Sequence, residues 1–407
     1  MYAAIAGAVV VLGGIGWWST RGASKDEKPV TKSGKKNAKS LAKTETSKQI
    51  DAHEVTLHVG AGSEFKSIER ALHWAVEGKA DHEAAAKGKP LRFLISVKPG
   101  APFEESLVFD ESFPGEVHLQ SETSGKNITI RSPGDEPAIS IKNLSGVTIE
   151  NVTIDLSGFP PKDTGIVVSG SAARCRIKNS VISKAGKSGI ELSSAVGGDG
   201  SDGITIDGLT FQNAAPTAFG VHIAKPANGP PTQNVTVQRC RFIGSMSAAV
   251  FLEGPVDSLT IRNCGASSTS SGVRFAAGVI AKNVLVDHCS FRNNAEAGLL
   301  FDAMPGAGAG NFAWRNCLFA GLKKTELLIA KEYDAAKFDA LMNADKSAEN
   351  NWSDRAATKQ VSGERDVLGK GGERVPLIQF SSTSPTSDLF LVSKAGEPYK
   401  AAGIKAK

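Results

Sequence analysis

Between Ile139 and Ile329 apolar and polar positions alternate in short runs, and the runs recur. One kind is a five-residue segment with apolar residues at alternate positions. It occurs at Gly165–Ser169, Gly189–Ser193, Gly220–Ala224, Ala249–Glu253, Gly272–Ala276, Gly298–Asp302 and Glu326–Ala330. The other kind is a strand, a bend residue and a second short strand, as in Val147–Ile154, Val235–Phe242 and Val284–Phe291. A period of two marks half-buried strands. Recurrence every 23 to 31 residues marks a solenoid, whose units bury their apolar faces against their neighbours.

Aligning the second kind of run produces columns. Asn151, Asn179, Gly208, Arg239, Asn263, His288 and Asn316 share the bend position. Gly lacks a Cβ, and Asn and His are enriched in left-handed backbone, so this column predicts a sharp corner in every turn. The next column is Val152, Ser180, Leu209, Cys240, Cys264, Cys289 and Cys317; two residues on come Ile154, Ile182, Phe211, Phe242, Ala266, Phe291 and Phe319. Both columns should point inward as stacked ladders. Three strands per turn with tight corners predict an all-β, single-stranded parallel β-helix.

Four of the five cysteines fall in one inward column, where a free thiol serves as a small hydrophobe. A disulfide between rungs about 4.8 Å apart is the geometric alternative. No CxxC or Cys/His metal spacing is present.

The ends read differently. Tyr2–Trp18 is apolar and uncharged, with Trp17 and Trp18 at its far end and Arg21, Lys25 and Lys28 beyond. This reads as a transmembrane signal-anchor helix over residues 1–20, a cleavable signal peptide being the competing reading. The following basic residues by themselves favour keeping that side inside, whereas the fold argues for export; the expectation is a single-pass anchor with the β-helix outside the cytoplasm. Residues 21–52 are rich in Lys, Ser and Thr and predict a disordered linker. Much of the net charge of +5 sits there, and the remainder is near neutral, which argues against a nucleic-acid partner. The β-helix domain then spans 53–403: an N-terminal cap over 53–116, coils over 117–331, and a C-terminal cap and tail over 332–403. In the first of these, Phe65, Ile68, Leu72 and Val76 have amphipathic helix spacing. In the last, Tyr333–Met342 reads as helical, and Val375–Phe380 and Asp388–Val392 are apolar runs that could finish the far end.

Gly60–Leu72, with Phe65, Ile68 and Ala71 in an F-x-x-I-x-x-A pattern, is followed by Ile95–Gly100 and Glu104-Glu105. These segments resemble the opening of pectin-lyase-like right-handed β-helix proteins, and Ser384-Pro385, Asp388–Leu391 and Gly396–Gly403 resemble the close of bacterial surface β-helices. Ala101-Pro102-Phe103 departs from the usual small residue and Tyr of the opening motif. The resemblance covers about Val55 to Gly403. It implies the fold, but the superfamily holds lyases, hydrolases, esterases, adhesins and silent scaffolds. The catalytic stretches of pectinesterases and polygalacturonases are missing, apart from an isolated Arg176-Ile177-Lys178. Some similar bacterial β-helices form the outward half of membrane-spanning kinases, and no kinase motif occurs here. Asp199–Gly203 is similar to an acidic calcium loop of some lyases, though Asp, Gly and Ser between strands more often form a turn; no cofactor is expected, calcium being the alternative.

Alternation makes the outward columns of the first strand readable: Ser140, Val167, Glu191, His222, Phe251, Arg274, Leu300, and Lys142, Ser169, Ser193, Ala224, Glu253, Ala276, Asp302. Glu191 and His222 on adjacent rungs are about 5 Å apart at the backbone. Glu253 and Asp302, two rungs apart at about 10 Å, fall in the range of paired carboxylates for inverting glycoside hydrolysis. Glu191, His222 and Arg274 are therefore the candidate catalytic residues, with general acid/base roles and Arg neutralising an acidic sugar. Phe251, Glu253 and Asp302 are the candidate substrate-binding residues. In pectin-lyase-like enzymes the substrate groove runs along this sheet, which is what the resemblance implies here. The plain alternative is surface decoration worth about 0.2–1 kcal/mol per cross-rung pair. Two functions follow: a tethered module binding a cell-surface or environmental polysaccharide or a protein partner, or a polysaccharide lyase or hydrolase acting on an acidic glycan. A purely architectural spacer is a third.

Overall fold

The computed structural model describes residues 52–157, 164–226, 228–331, 333–341 and 348–354, with short pieces at 364–365, 368, 372–375 and 378. The expected anchor and most of the linker lie outside the described residues, as do Asp388–Val392. No helix among the described residues is long and apolar enough to cross a membrane.

Three parallel ladders build the molecule. The first stacks Leu107–Asp110, Ile139–Lys142, Thr164–Ser171, Ser188–Val196, Phe219–Ile223, Ala248–Leu252, Ser271–Phe275, Ala297–Phe301 and Thr325–Ile329. The second begins at His53–Val59 and runs through Leu91–Val97, Glu116–Ser121 and Val147–Glu150 to Gly310–Arg315. Its rungs thus extend further towards the N terminus than the repeat columns alone indicate. The third follows each bend, from Phe103–Glu104 to Leu318–Ala320 and on to Trp352–Ser353. The fold is an all-β parallel solenoid.

Every residue of the bend column has left-handed backbone, from Asn179 at φ 46° to Gly208 at φ 71°, including Arg239 at 53° and His288 at 51°. Each bend N–H donates to the carbonyl of the residue before the next bend, as Asn263 N to Asp287 O at 3.0 Å. The corner thereby propagates the ladder instead of interrupting it.

The inward column after the bend does more than fill space. All five cysteines are buried and free. Cys240 Sγ lies 3.2 Å from Gln238 O and 3.6 Å from Ile206 O on the preceding rung. Cys264, Cys289 and Cys317 repeat that arrangement. Ser180 at the same position donates to Lys178 O at 2.6 Å and accepts from Val152 N at 3.2 Å. A small side chain with a weak donor suits a tight corner because it both packs and partners the carbonyls turned inward there.

Volume is matched across the tube. The ring of Phe242 lies on Gly220 of the same turn, where an added Cβ would fall 2.3 Å from the ring. Gly189/Phe211, Gly272/Phe291 and Gly298/Phe319 repeat this pair. Where the phenylalanine column carries Ala266, the glycine column carries Ala249, and both are buried. Stacking continues along the tube: Phe211 and Phe242 are 4.7 Å apart between ring centroids, and Phe291 and Phe319 5.3 Å. Such close-packed pairing explains why glycine recurs at that place in the strand.

Two helices, α1 (Ile68–Glu77) and α2 (Lys79–Ala86), follow the first rung. Ser67 caps α1 by accepting from Arg70 N, and the Glu105 carboxylate accepts from Ile68 N at 3.2 Å and Glu69 N at 2.8 Å. Ile68, Ala71, Leu72 and Ala75 bury the apolar stripe of α1 in the same core as Leu57 and Phe93. A third helix, α3 (Ala335–Leu341), follows the last rung of the first ladder.

Candidate functional site

Register places the first outward column as the alternation predicts: Ser140, Val167, Glu191, His222, Phe251, Arg274 and Leu300 are successive partners. What alternation did not predict is how covered this face is. His222 is 4% exposed, Phe251 8% and Leu300 2%, so the strip is not a shallow surface with free side chains. Phe219, one residue before the repeat glycine, folds over it: its ring stacks on Phe251 at 4.4 Å and lies 5.0 Å from that of His222.

All six candidate residues come together in one strip, in two linked groups. In the first, His222 Nε2 lies 2.9 Å from Glu253 Oε2, while its Nδ1 is 3.3 Å from Ser188 Oγ and 3.6 Å from Glu191 Oε2. Lys187 Nζ is 2.7 Å from the same Glu191 oxygen. The facing imidazole of His222 and the Lys187 ammonium hold the Glu191 carboxyl down at about 2, against the opposing effect of burial. In the second group, Arg274 Nε donates to both oxygens of Asp302 at 2.9 and 3.1 Å, and its Nη1 donates to Ser247 Oγ at 3.1 Å. The guanidinium carbon also sits 5.3 Å from the centre of the Phe251 ring, joining the two groups through a cation–π contact.

Two expectations change with this geometry. Glu253 and Asp302 are each paired with another side chain, Glu253 with His222 and Asp302 with Arg274. Arg274 is likewise engaged, its Nε by Asp302 and its Nη1 by Ser247. Ser188 beside the histidine is fully buried and cannot serve as a nucleophile to an external substrate. The most accessible charged groups are Lys187 and Glu253, with side chains 51% and 45% exposed.

Sequence reasoning missed Lys187, Ser188, Phe219 and Ser247. They share one signal: each lies one or two residues before the repeat glycine or its alanine equivalent. Ser188, Phe219, Ala248, Ser271 and Ala297 form their own column at that corner, and Phe219 is the large member of it.

The acidic segment Asp199–Gly203 forms a corner turn. Asp199 Oδ1 accepts from Asn234 Nδ2 at 3.3 Å, and Asp202 Oδ2 faces Arg174 at 3.9 Å. Among the described residues no cluster of three or more His, Cys, Asp or Glu side chains is arranged to hold a metal.

Comparison with known proteins agrees with the geometry of the coils. Residues 137–317 match the family model described as right handed beta helix region. A crystal structure of pectate lyase Pel9A aligns over 88% of this chain and 89% of its own, at 12% identity and a TM-score of 0.51. An alginate lyase from Paenibacillus sp. str. FPU-7 aligns over 67% of this chain and 97% of its own, at 12% identity and a TM-score of 0.39. No curated protein sequence matches the chain. The class is therefore a right-handed parallel β-helix. Within that class, the chain shares its fold with the pectate lyase structure.

Proposed function

We propose that this chain is a pectin-lyase-like β-helix acting as a glycan-binding surface module, held outside the cytoplasm by its N-terminal apolar segment. The observation that carries this reading is the mutual satisfaction of the strip. Each group suited to proton transfer or charge neutralisation is paired with another side chain of the protein: Glu191 with Lys187 and His222, Glu253 with His222, Arg274 with Asp302. Pre-paired polar groups flanking an aromatic cluster suit recognition of sugar hydroxyls by a rigid surface. A pectate lyase among the structural neighbours supports a polysaccharide as the ligand class.

The test is a glycan-array screen with the full chain, paired with an assay for new reducing ends and unsaturated products on every glycan retained. Retention without product supports the module. Product formation overturns it in favour of the enzyme, and retention of no glycan points to a protein partner. Membrane tethering is tested separately, by resistance of the full chain to alkaline extraction and by protease accessibility in intact cells.

A second reading, a polysaccharide lyase or hydrolase, has one observation in its favour. Glu191, kept ionised at about 2, faces Nδ1 of His222, the arrangement that orients an imidazole for general-base work. Turnover that disappears in His222→Gln with the fold retained would establish it.

A further inference from the structure

The strip is ordered in charge as well as in contact. Three neighbouring columns make it up: the two outward columns of the first ladder, and the corner positions before them, Lys187, Ala218, Ser247, Ser270, Glu296 and Lys324. Among the described residues of these columns, every cation has a carboxylate of its own. Lys187 meets Glu191 at 2.7 Å, Arg274 meets Asp302 at 2.9 Å and Lys324 meets Glu296 at 3.2 Å. Lys142 stands in register with Asp110. One carboxylate is left over: Glu253, whose partner is the imidazole of His222. An anionic chain laid along this face would find no unmatched cation and would meet the exposed Glu253 directly. To reach the Arg274 guanidinium it would have to share it with Asp302, and bringing like charges together is a common way of rejecting a ligand.

Phe219 supplies the complementary preference. Its column is otherwise small, with Ser188, Ala248, Ser271 and Ala297, yet its ring is only half-buried and packs on Phe251 at 4.4 Å. A ring already held by another ring offers an apolar surface to the C–H face of a pyranose at little cost in ordering. Hydrogen-bonding groups surround it. The Lys187 ammonium and the Nη2 group of Arg274 carry further N–H donors, and Glu253, with Oε2 on His222, has Oε1 to accept from a hydroxyl. From the rung of Glu191 to that of Leu300 is four steps, about 19 Å, the length of a short oligosaccharide.

We propose, resting on the glycan-binding reading above, that the glycan this strip takes is uncharged: it stacks a sugar ring on Phe219, exchanges hydroxyl hydrogen bonds with Lys187, Glu253 and Arg274, and polyuronates are rejected. An uncharged ligand replaces the acidic one that the residue types by themselves implied. Asp302 sets the class, because it cancels the charge of Arg274 where a uronate carboxylate would otherwise bind. Asp302→Asn keeps the size of the side chain and removes that cancellation.

The test passes the full chain over immobilised neutral gluco-, xylo-, manno- and galacto-oligosaccharides and over polygalacturonate and alginate, at low and high salt. The expected result is retention on at least one neutral glycan, at least tenfold stronger than on either polyuronate and changing less than about twofold with salt. Phe219→Ala should lose at least tenfold on that neutral glycan. Asp302→Asn should gain at least tenfold on the polyuronates, and the gain should vanish at high salt. Should Asp302→Asn fail to fold, the native chain and Phe219→Ala carry the test. Stronger retention on a polyuronate than on any neutral glycan overturns the uncharged class and leaves the binding module standing. Retention of no glycan overturns both. Released products overturn the module alone, and the cleaved glycan, neutral or acidic, then decides the class.

Discussion

Nε2 of His222 lies 2.9 Å from Oε2 of Glu253 on the next rung, and the imidazole is stacked against Phe251 of that rung at 5.4 Å. One buried ring is thus held from its edge by a carboxylate and from its face by an aromatic. Removing it as His222→Ala leaves Glu191 without its main stabilising partner and opens space beneath Phe219. The expected loss is about 2 kcal/mol of stability, read by urea unfolding. Glu253→Gln, at the exposed end of the pair, should cost less than about 1 kcal/mol yet weaken retention on any glycan the array identifies. Equal effects of the two variants on stability would contradict this division.

Acid should weaken the fold through Glu191. Its carboxyl titrates at about 2 in the folded chain against an ordinary 4.5. The folded pKa is depressed, so between these values the unfolded chain binds more protons. The contribution is complete above about 4.5 and is lost as pH falls towards 2. It amounts to about 1–2 kcal/mol, after allowance for the solvent-exposed Lys187 partner. Urea midpoints measured down this pH range should fall more steeply for the native chain than for Glu191→Gln. Parallel curves would assign the acid sensitivity to other groups.

The pairing of Gly220 with Phe242 predicts strong non-additivity. Gly220→Ala should destabilise by about 1–3 kcal/mol, because its Cβ must displace the ring or the backbone. Phe242→Ala should cost about 3–5 kcal/mol. In the Phe242→Ala background the additional cost of Gly220→Ala should shrink to the part set by the backbone, since the added Cβ still meets the Ala249 carbonyl oxygen at 2.5 Å. An additive double-mutant cycle would show that ring and glycine are not in competition for one space.

The thiols should be inert until the coil opens. Burial pushes Cys175 up to about 12, and all five cysteines are buried and free. Iodoacetamide should label none in the native chain and five in urea, counted by mass. Cys264→Ser should be tolerated better than Cys264→Val, because the position needs both a small side chain and a donor to Arg262 O.

The corner, the ladder and the inward columns were readable in the amino-acid pattern because each is a local property. Alternation assigns a face, and Asn151, Asn179, Gly208, Asn263, His288 and Asn316 announce a left-handed residue through their own backbone preferences, with Arg239 placed there by the column. Register followed, since shifting a strand by one residue would turn its apolar set outward. The candidate strip was legible to the same extent: Glu191, His222, Phe251 and Arg274 stand where their columns put them.

Side-chain partnership was not legible. Whether Arg274 faces a ligand or Asp302 depends on a residue 28 positions away in the chain, and whether Phe219 covers its near neighbour His222 depends on Phe251 of the next rung, on which the Phe219 ring stacks. Period-two patterning says which way a side chain leaves the backbone but nothing about its rotamer or about the turn that folds over it. Those choices are made only when successive turns are wound against each other, and they separate a face carrying free chemical groups from one whose groups already hold one another.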